Sequence, residues 1–455
     1  MRHVVLISAP WRDPVWAAAP WRDEPFACAM ISGGQAGRWS YLLRQPDETL
    51  VTTAPSLSGG DPRDPFAALA ELIGPPQTVE PDGPPFQGGV VGLAAYELGD
   101  RVEPLGLPRT GWPDLACARY PALLAFDHLQ RRVLAIGRGG SQGFARAKAE
   151  AALSWLDAPA PPIHEGVLCD ALSVSDGEAY EAAVGEVVER IVGGEIFQAN
   201  IARAWTGRLK AGAHPFDLFA RLRADSPAPF SAYLRLPGRA LVSNSPERFL
   251  KVSSPDGGGD LTIETQPIKG TRPRGADRAE DARLIAELSA SAKDRAENLM
   301  IVDLMRNDLA RVSPPGSVAV PELFRVETFA NVHHLVSTVT GKLAPGLVAA
   351  DLLRAAFPPG SITGAPKVQA MKVIAQMETP RGPYCGSLFW AGMDGAFESS
   401  VLIRTVGLEQ EADGWRFEAR AGAGIVADSD PHAERLETEA KFSALRRALL
   451  EEPRG

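Results

Sequence analysis

The sequence predicts an α/β fold of the α+β kind: layered, largely antiparallel β-sheets flanked by helices, in two intimately joined subdomains. Three observations carry this. The chain has 455 residues, 45% of them hydrophobic, which is long for one simple core and ample for a large one. Strand-like and helix-like segments alternate irregularly, with hairpins in place of regular crossover units. The Pro-rich stretch Asp157-Ala158-Pro159-Ala160-Pro161-Pro162 separates a first part rich in Pro, Gly and Trp from a second of different character. The expected division is therefore 1–160 and 161–455.

Composition excludes several classes. A net charge of -9 argues against nucleic-acid binding. Cys28, Cys117, Cys169 and Cys385 are scattered without a CxxC pair, so neither a zinc site nor a disulfide framework is indicated. The start MRHVVLISAPWRDP lacks the apolar run of a signal peptide, and no stretch has the roughly 20 apolar residues of a membrane span. The expectation is a soluble, cytoplasmic protein with no membrane association.

The elements follow in order. Ile31-Ser32-Gly33-Gly34 reads as a turn before a strand at Trp39 to Leu43. Gly88 to Leu93 reads as a buried strand, without the GxGxxG of a dinucleotide site. Ala122–His128 and Arg132–Ile136 form a hairpin, and Phe144 to Trp155 a helix. In the second part, Asp176 to Val192 has apolar residues at helical spacing, closed by Gly193-Gly194. A strand at Phe197 to Ile201, a helix at Pro215 to Arg223 and a strand at Phe230 to Leu234 follow. Leu261 to Thr265 alternates and is β-branched, a strand that runs into the turn Pro267-Ile268-Lys269-Gly270. Lys269 is then an amine at a strand end. By itself it reads as a solvated turn lysine.

Two helices carry carboxylates. Ala290 to Val312 reads as one helix on which Asp294 and Glu297, three apart, share a face. The second starts at Pro431 and places Glu434, Glu437 and Lys441 on one face. Spacing leaves two readings open: a hard-oxygen site suited to Mg²⁺, or two solvated charged faces. The loop Pro358 to Lys367 enters a helix with the Thr363 hydroxyl and backbone N–H groups near its start, an arrangement suited to an anion. Gly422 and Gly424 expose bare backbone in an apolar strand, and Arg404 sits within another. A buried arginine calls for an anionic partner. Together these describe a pocket for an acid with more than one carboxylate.

Six motifs occur in one order: PIKGTRPRG, ENLMIVDLMRNDL, HHLVSTVTG, GSITGAPK, RAGAGIV and AERLETEAK. In this the chain resembles the chorismate-utilising enzymes. The resemblance covers residues 170 to 450 strongly and the first third more loosely, through SGG, WSYLL and GGVVGLAAYELG. It implies the fold of the chorismate-binding enzymes. It implies Mg²⁺ on Glu297 and Glu437, helped by Glu434 and Asp294. Thr363, Gly364, Gly422 and Gly424 would hold carboxylates, and Arg404, Tyr384 and Lys441 the enolpyruvyl end. Thr271 would also bind substrate, and His334 would sit beside the ring as a proton-transfer or positioning group.

Within that family, lysine in PIKGT and Gln198 in IFQANIAR resemble the aminodeoxychorismate-forming branch. Anthranilate-forming members usually carry alanine at the Lys269 position, and isochorismate- and salicylate-forming members carry lysine at the Gln198 position. The resemblance implies that Lys269 attacks C2 of chorismate as the C4 hydroxyl leaves, and that ammonia then attacks C4 and expels the lysine. Ammonia would come from a separate glutamine amidotransferase subunit, because Cys385 lacks the G-x-C-x-G surroundings of such a nucleophile. Family members often bind tryptophan in the N-terminal β layer, where Ser32, Gly33 and Tyr41 would line the pocket. Phe389 replaces a small residue of the family pattern near Tyr384.

Overall fold

The computed structural model describes residues 3–33, 37–53, 63–254, 260–328 and 332–452. Two large sheets face each other, with helices on both outer faces. The first sheet has 12 strands and the second 10. Every strand pair among the described residues is antiparallel. No described helix is long and apolar enough to cross a membrane.

Side-chain alternation builds the layers. In the strand Leu115–Tyr120, Ala116, Ala118 and Tyr120 enter the core between the sheets, beside Tyr41, Leu93 and Trp390. Leu115 and Cys117 point the other way, to the core beneath the helices Pro65–Ile73 and Ala349–Ala356. The outer face of the first sheet packs Trp205 and Phe417 against Phe442 and Leu445 of the C-terminal helix Pro431–Leu450. Trp205 stacks on Phe442 with ring centroids 4.3 Å apart.

The division near residue 160 is a boundary in the chain only. In the first sheet Cys28–Ile31 pairs with Phe230–Leu236, and in the second Gly89–Ala94 pairs with Ser387–Gly392. Each sheet therefore draws strands from both parts. Phe389 is core: it is buried, packs on Phe397, and fills the space over Gly92.

The acidic helix expected over 290–312 is Ala292–Ala310, and a separate helix, Arg278–Ala290, precedes it. Ser291 separates the two and caps Ala292–Ala310 through its side chain, which accepts from Asp294 N. The Pro-Ile-Lys-Gly segment is no terminal turn. Ile268–Pro273 continues as an edge strand, with a register irregularity between Ile268 and Thr271.

Candidate active site

The site grows from the strand Gln198–Arg208 and its partner Gly414–Ile425. Along the first strand Ala199 and Ile201 face the core shared with the helices Gly177–Val192 and Lys367–Met377. Alternation therefore turns Gln198 and Asn200 to the opposite face. There the partner strand carries glycine. A Cβ on Gly424 would lie 2.7 Å from Gln198 Nε2 and 3.3 Å from Lys269 Nζ, and one on Gly422 only 2.5 Å from Asn200 Oδ1 and 3.0 Å from the Tyr384 hydroxyl. Gln198 is fully buried with both amide atoms unpartnered, and Asn200 Oδ1 is also buried without a partner. Buried polar atoms are normally satisfied, so this cluster marks where a ligand completes the structure.

Lys269 reaches this point from the other sheet. The irregularity at Lys269-Gly270 is a bulge, which re-aims side chains. Gly270 has φ +87°, and a Cβ there would lie 2.9 Å from Asp294 Cγ. Asp294 Oδ2 accepts from Arg272 Nη2 at 3.3 Å, and Arg272 Nε also donates to Glu287 at 2.7 Å. Asp294 thus braces the lysine strand. Lys269 is half-buried, and among the described residues nothing hydrogen-bonds its amine. Burial is the largest influence on that amine and lowers its pKa, against the upward pull of Glu297, Glu247 and Glu437.

The acids stand around it. Burial raises the pKa of Glu297, and Asp294 and Glu437 add to the rise. Glu434 is raised by burial and by Glu437, and accepts from the Ser429 hydroxyl at 2.8 Å. Glu437 feels burial too, but its 2.6 Å ion pair with Lys441 outweighs it and lowers its pKa. Among the described residues no three acidic, His or Cys groups are already closed into a metal cage. The donor set still fits a magnesium ion, which takes one or two carboxylates and fills its shell with water and substrate oxygens. Burial raises the pKa of Glu297 and Glu434, and a dication would offset that cost.

Glu247 was not singled out in the sequence. It follows the strand Arg239–Ser245, is buried, and its Oε1 accepts from the Ser361 hydroxyl at 2.7 Å. Burial raises its pKa, with Lys269 and Lys441 opposing. Its carboxyl is pushed towards the protonated form and lies within electrostatic reach of the lysine. The available signal was its place in the turn Asn244-Ser245-Pro246-Glu247 after an apolar strand, which gives no hint of burial beside an amine. Asn200 was missed for a similar reason.

Other groups at the site are donors. Arg404 has φ +52°, and among the described residues no carboxylate pairs with it. Burial lowers its pKa and Tyr384 raises it. Lys441 Nζ donates to the Gly422 carbonyl at 2.9 Å. His334 Nδ1 and the Thr271 hydroxyl are 2.9 Å apart. Burial and then Arg404 lower the imidazole pKa to about 4, so it is neutral at physiological pH. The Thr363 hydroxyl donates to Pro359 O at 2.8 Å, and its carbonyl accepts from Asn200 N at 2.9 Å. Gly364 lies against the Gln198 carbonyl, where a side chain would clash.

The residues expected to hold tryptophan lie in the N-terminal β layer. Tyr41 is buried in the inter-sheet core, its ring edge-on to Phe86. The Ser32 hydroxyl donates to Pro229 O at 3.0 Å, and Gly33 N donates to Ala228 O at 2.9 Å. Gly34 lies outside the described residues.

The chain is similar to known proteins over most of its length. The chain is 39% identical over 453 residues to aminodeoxychorismate synthase component 1 of Klebsiella aerogenes, covering 95% of this chain and 96% of that one. It is 41% identical over 444 residues to anthranilate synthase component 1 of Streptomyces coelicolor, covering 92% and 82%. Among solved structures, anthranilate synthase component I from Streptococcus pneumoniae superposes with a TM-score of 0.78 at 29% identity, over 91% of this chain and 94% of that one. The menaquinone-specific isochorismate synthase of Escherichia coli shares the fold, with a TM-score of 0.72 at 18% identity. The model of the chorismate binding enzymes matches residues 27–447, and the chain belongs to that enzyme family.

Proposed function

We propose that the chain converts chorismate and ammonia to 4-amino-4-deoxychorismate, the precursor of 4-aminobenzoate for folate. The observation that supports this best is Lys269. Its amine meets Gln198 over Gly424, lies within electrostatic reach of Glu247, and is kept towards its neutral form by burial. A neutral amine is a nucleophile, and covalent catalysis divides one difficult substitution into two easier ones. In the first, Lys269 Nζ bonds to C2 of the ring. Both ring double bonds shift by one position, the C4–oxygen bond breaks, and the Glu247 carboxyl gives its proton to the leaving hydroxyl, so that water departs. In the second, ammonia bonds to C4, both double bonds shift back, and the C2–Nζ bond breaks. Glu247, now a carboxylate, takes the surplus proton.

Glu297, Glu437 and Glu434 would hold Mg²⁺, which neutralises the ring carboxylate when bound. Asp294 contributes by bracing the lysine strand. Neutral His334 and Thr271 position the ring, and Arg404, Tyr384 and Lys441 face the enolpyruvyl end. Ammonia would arrive from a glutamine amidotransferase; the relatives named component 1 are consistent with a second component. A tryptophan site near Ser32, Gly33 and Tyr41 remains a proposal that calorimetry with tryptophan tests.

The competing product is anthranilate with release of pyruvate, since anthranilate synthases are about as similar. Product analysis from chorismate, Mg²⁺ and ammonium decides: aminodeoxychorismate without pyruvate is expected, and stoichiometric pyruvate overturns the reading. Mass spectrometry of enzyme quenched with chorismate and no ammonia should show an adduct on the Lys269 peptide.

A further inference from the structure

We infer that the carboxamide of Asn200 is a direct ligand of the substrate's enolpyruvyl carboxylate and sets affinity for that end of the molecule. The inference deepens the chorismate reading above and rests on it.

The backbone leaves this side chain one direction. Asn200 N donates to Thr363 O at 2.9 Å, and its carbonyl accepts from Arg381 Nη2 at 2.6 Å. Its ladder partner is Gly424. Arg381 is itself fixed. It is buried, it pairs with Glu378 at 2.9 Å, and its Nη1 donates to Ile362 O at 3.2 Å. Its guanidinium lies 4.8 Å from the Tyr96 ring centroid and 5.7 Å from that of Tyr384. The backbone N–H groups of Arg381 and Gly382 both donate to Glu97, at 2.7 Å and 3.0 Å. One buried cation thus ties together the segments bearing Thr363, Tyr384 and Asn200. Such rigid support means that little ordering remains when a ligand arrives.

The carboxamide is incomplete. Asn200 is 5% exposed and Oδ1 has no donor, while among the described residues no acceptor meets its N–H₂. Leaving a buried amide unmatched costs about 1–3 kcal/mol, so a partner belongs there. Its neighbours say which. The Tyr384 hydroxyl lies with Asn200 Oδ1 over Gly422, and Arg404 is within electrostatic reach of Tyr384, so donors gather here. Chorismate has two carboxylates and one hydroxyl. The ring carboxylate belongs with the acidic helices and their cation, and the reacting hydroxyl belongs with Lys269 and Glu247. The enolpyruvyl carboxylate remains for the donor side, where an amide serves by turning its N–H₂ to the anion. Gly422, lacking a side chain, leaves the room.

The test separates donor from acceptor. Chorismate consumption is followed in Mg²⁺ and saturating ammonium, so the reading is the same whichever product forms. Asn200→Asp keeps the shape but puts a like charge against the carboxylate; the KM for chorismate should rise about a hundredfold or more. Asn200→Ala should raise it about tenfold. In both, kcat should stay within about threefold of the parent and the KM for ammonium should not move. An Asp variant equal to or better than the Ala variant would show that the group accepts from a hydroxyl or from ammonia, and overturns the inference. So does a shift confined to the ammonium KM. If the variants do not fold, a wild-type complex with an unreactive, enolpyruvyl-bearing analogue reads the same contact. An amide beyond hydrogen-bond distance of that carboxylate also overturns it.

Discussion

Two regions of this molecule each bury a lysine, and they treat it differently. At the start of the Lys367–Met377 helix, Lys367 Nζ donates to Asp308 at 2.6 Å and to Ala356 O at 2.6 Å. At the bulged strand, the Lys269 amine has carboxylates around it but none in hydrogen-bond contact among the described residues. Burial lowers the pKa of both. The first lysine is closed off by its acid and joins two helices. The second is poised but unspent. Burial alone does not make an amine a nucleophile; in the proposed reaction it is burial without a committed acid that suits Lys269 to attack.

Breaking the comparison at its reactive end has the largest expected effect. Lys269→Ala should lower aminodeoxychorismate formation about a thousandfold or more, read by product chromatography, and Lys269→Arg should not rescue it, because guanidinium stays protonated. Stability should move the other way. A lysine whose pKa is lowered in the fold binds fewer protons there than in the unfolded chain, so folding strengthens as pH rises from that lowered pKa to the ordinary lysine value. The alanine variant should melt no lower than the parent near neutral pH, and should lose that slope.

At the structural end, Lys367→Met strands the buried Asp308. It should cost about 3–5 kcal/mol by denaturant unfolding, with the folded fraction still active. Adding Asp308→Leu should recover most of the loss. A Lys367→Met variant that is stable but inactive would erase the distinction between the two lysines.

Glu247→Gln sharpens the contrast through proton supply. Its rate should fall about a hundredfold. In the parent, activity should decline as pH rises through the raised Glu247 pKa, because the acid form is lost; the glutamine variant should lack that limb. Asp294→Ala tests the brace behind the lysine strand and should lower kcat about tenfold, since a small misplacement of a reacting group is costly. The smallest effect should come from Phe389→Leu. It removes core packing over Gly92, worth about 1 kcal/mol, and should leave the chorismate KM unchanged.

Much was legible in the sequence where information is local. Helix starts at Asp176 and Pro431 announce themselves through capping chemistry. The i,i+3 spacing of Glu434 and Glu437 sets them on one face before any tertiary contact exists. The acidic helix was legible to within two residues at each end, while the preceding helix Arg278–Ala290 went unread. The Thr363 hydroxyl donates to a carbonyl four residues back, a local bond that spacing alone did not disclose.

The sequence by itself determined the layered antiparallel class, the residue types available to the site, and the motifs that tie the chain to its family. Periodicity and chain-local chemistry suffice for those. Only the tertiary structure decided which groups meet. Gln198 and Asn200 reach bare backbone because a strand more than 200 residues later pairs with theirs in one particular register. Glu247 came within electrostatic reach of the Lys269 amine, and Asp294 against the lysine strand, only once two sheets and a helix had closed around them. Register and burial depend on every strand at once, and burial sets the protonation that chemistry requires.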